Sequence, residues 1–320
     1  MPANRHTLPA PLTASIMHRT WVLVLGAALL CAAVPPTSHA GPLRDRLTQK
    51  DPGDTAQTIQ IPTGVRVLQD VAYGPAPLQR MDVYLPLSIV QGAPVIFLVH
   101  GGAWRKGDKA HARLVQNKLN RWVPAGVVLV SVNYRLLPQT PVQEQARDIA
   151  RALAYAQQQA PAWGANPSRF ITMGHSAGAH LVALLAANPA AAQAAGASPV
   201  LATVALDSAV MDVPHAMEQP HLPLYDDAFG TNPLVWRALS PLHQWTSQAA
   251  PVLLVCSTKR ATACEQAQRL NVQAKSLGTQ ARTLPQDLSH GEINELLGLP
   301  SRYTSAVEGF IKSIDPGFLP

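Results

Sequence analysis

The chain has 320 residues, 47% of them hydrophobic and 14% charged, with a net charge of +6. That length and apolar fraction suit one large or two ordinary domains with a sizeable core, and exclude a disordered chain, a collagen and a coiled coil. Three cysteines exclude a disulfide-framework miniprotein, and basic residues that cluster no further than Arg105-Lys106 and Lys259-Arg260 leave no nucleic-acid footprint.

Arg19 precedes an uninterrupted apolar run from Trp21 to Val34, followed by Pro35, Pro36 and the small-residue end Ser38-His39-Ala40. This pattern predicts a signal peptide over residues 1–40, starting at Met1 or Met17, and export to the periplasm or the medium. The run falls short of the ~20 residues that span a bilayer, so no stable membrane insertion is expected after cleavage. Cys31 follows Leu30, where a lipoprotein signal needs a small residue. Cleavage after Ala40 removes Arg5, Arg19 and no acid, taking the charge from +6 to +4, and leaves Cys256 and Cys264. Eight positions apart in a chain sent to an oxidising compartment, these two read as a disulfide, worth about 2–3 kcal/mol in the chain-entropy treatment.

Residues 41–64, punctuated by Pro42, Pro52, Gly53 and Pro62, read as a loose lead-in to a single domain over residues 65–320. Val65 to Ala72 and Arg80 to Leu85 then read as strands, with Gly74, Pro75 and Pro77 making a hairpin-like connection. Val95 to Val99 and Val127 to Val132 are continuous apolar runs, as in strands buried on both faces of a parallel sheet. His111 to Trp122 reads as a helix, and Val142, Ala146, Ile149, Ala150 and Leu153 recur at helical spacing. Further strands are expected at Phe170 to Met173, Leu201 to Leu206, Val252 to Cys256 and Ala281 to Leu284. Helices are expected at Ala177 to Ala187, Glu265 to Leu277 and Tyr303 to Ile314, and the alanine-rich Ala186 to Ala197 reads as a helix end and loop. The alternation predicts an α/β fold with a mostly parallel sheet covered on both faces. Residues 208–251, rich in Pro and His and weakly periodic, read as a lid insertion over the ligand crevice.

Gly174-His175-Ser176-Ala177-Gly178 is G-x-S-x-G between a strand and an apolar helix, the context of a nucleophile elbow. The glycines permit the sharp turn that exposes Ser176, and the helix start aims N–H groups at developing negative charge. The strand Val95 to Val99 ends in His100-Gly101-Gly102-Ala103-Trp104, a side-chain-poor loop that lets a substrate approach backbone donors. The N–H groups of Gly102, Ala103 and Ala177 are therefore read as oxyanion donors. His100 precedes the nucleophile and reads as a loop-holding residue rather than the base.

With Met81-Asp82-Val83-Tyr84-Leu85-Pro86 ahead of them, these two motifs resemble the bacterial α/β-hydrolase esterases, in their feruloyl-esterase-like and hormone-sensitive-lipase-like groups. The resemblance runs from about Val65 to the C-terminus. It implies an α/β-hydrolase fold and a serine carboxylesterase acting on a small-molecule ester, with the order serine, acid, histidine and no cofactor. The family carries its base in the loop after the last strand, which here is His290 in Asp287-Leu288-Ser289-His290-Gly291.

The acid is the departure. The family's usual position, after the seventh strand, reads Ser257-Thr258-Lys259-Arg260-Ala261-Thr262-Ala263-Cys264 and holds no carboxylate. Asp207, at the end of the sixth strand, takes the role in this reading, with Asp212, Asp287 or no acid left open. Its task is to hold the imidazole tautomer and stabilise the imidazolium.

His175 and His180 read as packing or polar-face residues, His215 and His221 as lid residues, and His111 and His243 show no partner pattern. No pair has metal-ligand spacing, so no metal site is expected. Tyr225, Phe229 and Trp236 suggest an apolar or aromatic contact in the lid. Two other functions fit the same motifs: an arylformamidase-type amide hydrolase, and a hydrolase scaffold that binds partners without catalysis.

Overall fold

The computed structural model describes residues 58–88 and 91–319; the signal segment and most of the lead-in lie outside them. β1 (Val65–Ala72) and β2 (Arg80–Pro86) form the antiparallel hairpin that the Gly and Pro punctuation predicts. β3 (Ala93–Val99), β4 (Val128–Val132), β5 (Ala165–His175), β6 (Ala202–Leu206), β7 (Val252–Ser257) and β8 (Ala281–Gln286) pair in parallel throughout. The sheet order is β1-β2-β4-β3-β5-β6-β7-β8, with β2 antiparallel to β4.

Strand period two divides the core into two layers. Val95, Phe97 and Val99 of β3 pack with Ile149 and Leu153 of α2 (Val142–Gln159) and Leu181 of α3 (Ala177–Ala187). Ile96 and Leu98 face the other way, toward Leu119 and Trp122 of α1 (Ala112–Trp122) and Phe310 of the C-terminal helix Arg302–Ile314. Burial of such a side chain contributes roughly 1.5–3 kcal/mol, so a strand apolar on both faces has one stable place, the middle of the sheet.

Four stretches differ from the sequence expectation: β5 begins at Ala165 rather than Phe170, His290 opens a short helix (His290–Glu295) rather than lying in a loop, and two more carry helices that were not expected. Ala186 to Ala197 breaks at Asn188, whose side chain caps a separate short helix, α4 (Pro189–Ala194). The weakly periodic insertion contains four short helices: α5 (Val213–Glu218), α6 (Pro223–Phe229), α7 (Pro233–Ala238) and α8 (Pro241–Gln244). Each opens with proline in its first two positions, where the fixed φ suits a helix start and no N–H is lost. Helices of four to seven residues are too short to show a 3.6-residue period. Among the described residues no helix is long and apolar enough to cross a membrane.

Parallel register brings the strand ends to one edge: Val99 lies beside Gly174, His175 beside Leu206, and Leu206 beside Val255. The loops that follow therefore converge. Near the end of β7, Cys256 is joined to Cys264 in the first turn of α9 (Ala263–Ser276), with Cα atoms 5.0 Å apart. Opening this bridge by Cys264→Ala is expected to lower stability by about 2–3 kcal/mol in non-reducing denaturant unfolding; an unchanged midpoint would show that the bridge constrains nothing.

Candidate active site

The turn after β5 is forced by close backbone packing. A Cβ on Gly178 would overlap the carbonyl oxygen of Val99, and one on Gly174 would overlap the carbonyl of Gly178. A Cβ on Gly101 would lie 2.8 Å from His175 O and 2.9 Å from Ser176 Cβ. Glycines at these points let the loop after β3 lie directly against the turn. Ser176 itself has φ 57° and ψ −118°, a left-handed conformation costing a non-glycine residue on the order of 1–3 kcal/mol. The turn is held by Ser176 N–H donating to Leu206 O (2.9 Å) and His180 N–H donating to Ser176 O (3.1 Å).

The loop after β3 is strained in the same sense, with φ of 114°, 55° and 57° at Gly102, Ala103 and Trp104. Trp104 anchors it. Its carbonyl accepts from Leu137 N–H and the Gln145 amide, each at 2.9 Å, and its indole N–H donates to His180 Nδ1 at 3.3 Å. His180 Nε2–H in turn donates to Leu239 O (2.8 Å), so one buried neutral imidazole joins this loop, α3 and the insertion. Burial pushes His180 down to about 4, and burial does the same to His100, which donates from Nδ1 to Gly101 O and stacks on Tyr134. Phe229 lies 5.1 Å and Tyr225 6.2 Å from Trp104, ring to ring, so both pack between the insertion and this loop. Trp236 instead donates its indole N–H to Gly230 O within the insertion.

His290 opens α10 (His290–Glu295), whose start is fixed by a reciprocal capping box between Ser289 and Glu292. Its Nδ1–H donates to Asp207 Oδ2 at 2.6 Å. Its ring lies 4.4 Å from that of His175, whose Nε2–H donates to His290 O at 2.9 Å. The residue next to Ser176 thus buttresses the His290 backbone. Buried Lys118 on α1 donates to Asn294 O (2.6 Å), Asn294 Oδ1 (3.1 Å) and Leu114 O (2.9 Å), and so steadies the far end of α10. Burial pushes its ammonium down to about 7.

Asp207, of which no side-chain surface is exposed, sits just past β6 at φ 56°. Ser257 N–H donates to its Oδ1 (2.7 Å), and Arg260 Nη1–H donates to its Oδ2 (2.8 Å) and its main-chain O (3.0 Å). Burial alone raises a carboxyl, but the His290 hydrogen bond, the Arg260 charge and the Ser257 N–H together hold Asp207 well below the usual carboxylate range. The structure therefore brings Asp207, and neither alternative, to His290. Asp212 caps α5 and pairs with Arg269 (2.8 Å), while Asp287 is 88% exposed and 3.8 Å from Lys259.

Sequence reasoning missed Ser257, Arg260, Lys118 and the buttress from His175. In the sequence Arg260 is half of a basic pair in a loop without a carboxylate, and that missing acid is the one signal that points to it. The other basic pair also serves the site, through an exposed Arg105–Asp227 ion pair (2.7 Å) that joins the loop after β3 to α6.

Sheet topology and the convergence of Ser176, His290 and Asp207 loops define an α/β hydrolase. The profile of the BD-FAE family matches residues 81–273, more than half of the chain, and the chain belongs to that family. The isoprenylcysteine alpha-carbonyl methylesterase of Arabidopsis thaliana is 32% identical over 118 residues, 37% of this chain and 27% of the relative. The kynurenine formamidase of Danio rerio is 32% identical over 120 residues, 38% of this chain and 39% of the relative. The chain thus spans about a quarter to two fifths of the length of these curated relatives. A truncated carbohydrate esterase from gut microbiota shares the fold, with a TM-score of 0.68 at 18% identity, covering 80% of this chain and 99% of that one.

Two outcomes are expected. Gly178→Ala pushes a methyl group into the Val99 and His100 carbonyls and should cost roughly 2–3 kcal/mol, read as a lowered thermal midpoint. His100 and His180 have folded values near 4 against 6.5 unfolded, so the unfolded chain binds more protons between these limits. Stability present above pH 6.5 is then lost as pH falls toward 4, by on the order of a few kcal/mol. Surface His221, raised by Asp226, acts in the opposite sense and is screened by solvent. Urea midpoints at pH 6.5 and 4.5 check this, and equal midpoints would contradict it.

Proposed function

We propose that this chain is an exported serine carboxylesterase that cleaves small-molecule esters through an acyl-enzyme. The observation that carries the reading is the hydrogen bond from His290 to the buried Asp207, at 2.6 Å, set beside the strained Ser176 turn. Because Nδ1–H is committed to Asp207, Nε2 of His290 is the basic nitrogen. It takes the Ser176 proton as Oγ attacks the ester carbonyl, and returns it to the leaving alcohol. The oxyanion is received by the N–H groups of Gly102, Ala103 and Ala177, two of them on the strained loop after β3 and one at the start of α3. Water activated by His290 then releases the acid and restores Ser176.

Kinship with the methylesterase supports an ester substrate. Export rests on the residue 1–40 pattern and on the Cys256–Cys264 pairing. Similarity to the formamidase favours amide cleavage as the second reading, since the same parts serve an N-formyl group. Rates on a formanilide and a phenyl ester of matched size separate the two.

Ser176→Ala is expected to lower kcat/KM for p-nitrophenyl acetate by about 10⁴-fold or more and to abolish fluorophosphonate labelling. Asp207→Asn is expected to lower kcat by about 10³–10⁴-fold, because the wrong tautomer is then held. Retained turnover in the serine variant would overturn this site.

A further inference from the structure

We propose that Arg260 is a positioning residue for the acid and base of this site, an inference that rests on the esterase reading above. Asp207 occupies a left-handed backbone conformation, which a non-glycine residue keeps only when its surroundings over-determine it. Its N–H donates to Val255 O at 2.8 Å and its Oδ1 accepts from Ser257 N–H, both from β7. The Ser257 bond anchors Oδ1 and leaves Oδ2 to be held by Arg260 and His290. A single Nη1 reaches the main-chain O of Asp207 at 3.0 Å and its Oδ2 at 2.8 Å, so it ties the strained backbone to the carboxylate oxygen that takes the imidazole N–H.

The same Nη1 lies 3.0 Å from His290 Nδ1. Were Nδ1 unprotonated, its 2.6 Å approach to Oδ2 would set two acceptors together; protonated, it shares Oδ2 with Arg260. Arg260 therefore fills the space beside Nδ1 and leaves the ring one carboxylate oxygen to follow. A guanidinium so near repels the imidazolium of the transition state, so its contribution is orientation rather than added charge stabilisation. The approach of Arg260 is itself fixed. Its N–H donates to Ser257 O (3.4 Å), and the turn that carries it runs between Cys256 and Cys264, joined end to end. Ser257 Oγ–H donates to Leu288 O at 2.6 Å, binding the same turn to the segment before His290. The loop without a carboxylate thus holds one supplied by the neighbouring strand.

Steady-state hydrolysis of p-nitrophenyl acetate by the full chain and its Arg260→Met and Arg260→Lys variants, with thermal midpoints alongside, tests this. Arg260→Met is expected to lower kcat by about ten- to hundredfold with KM within about threefold. Arg260→Lys, which keeps a charged donor, is expected to recover kcat to within about tenfold of the parent chain. If Arg260→Met does not fold, Arg260→Gln replaces it in the same comparison. Parental kcat in Arg260→Met, or Arg260→Lys as slow as Arg260→Met, would overturn the inference while Ser176-dependent turnover of the parent left the esterase reading standing. A parent chain that neither hydrolyses the ester nor labels at Ser176 would overturn that reading and the inference with it.

Discussion

A buried carboxylate without compensation costs many kcal/mol, and Asp207 is wholly enclosed. Its carboxylate receives three hydrogen bonds from three segments: Ser257 on β7, Arg260 in the following turn, and His290 at the start of α10. That requirement links the end of β6 to the ends of β7 and β8. It also explains why the turn after β7, which contributes no acid, is bonded to its neighbours and closed by a disulfide.

The other half of the site depends on the absence of side chains. Gly101, Gly174 and Gly178 let the chain after β3 and the turn after β5 meet backbone to backbone. Ser176, Ala103, Trp104 and Asp207 all hold positive φ. Strain concentrated at one edge persists because the sheet beneath is buried on both faces and leaves the strand ends no freedom to relax. The His180 imidazole, bonded to Trp104 and to Leu239, extends this rigidity into the insertion.

Much of this architecture was legible in residue order. Continuous apolar runs marked the inner strands, the Gly and Pro cluster after Val65 to Ala72 marked the hairpin, and G-x-S-x-G between strand and helix marked the sharp turn. The insertion helices were not legible, because each has only one or two turns and is set by proline and capping contacts rather than by a periodic face. Membership of the BD-FAE family bears out the resemblance read from the glycine motifs.

By itself the sequence determined which strands are central, where the serine turn falls and which histidine comes last, since these follow from local chemistry and chain order. Only the tertiary structure decided which aspartate meets His290 and what Arg260 does. Asp207, Asp212 and Asp287 are equivalent as residue types. Parallel pairing of β6, β7 and β8 separates them: it buries Asp207 beside His290, gives Asp212 to Arg269 and leaves Asp287 in water. An arginine that is a surface charge in the sequence becomes, 53 residues along the chain from Asp207, the partner of a buried anion.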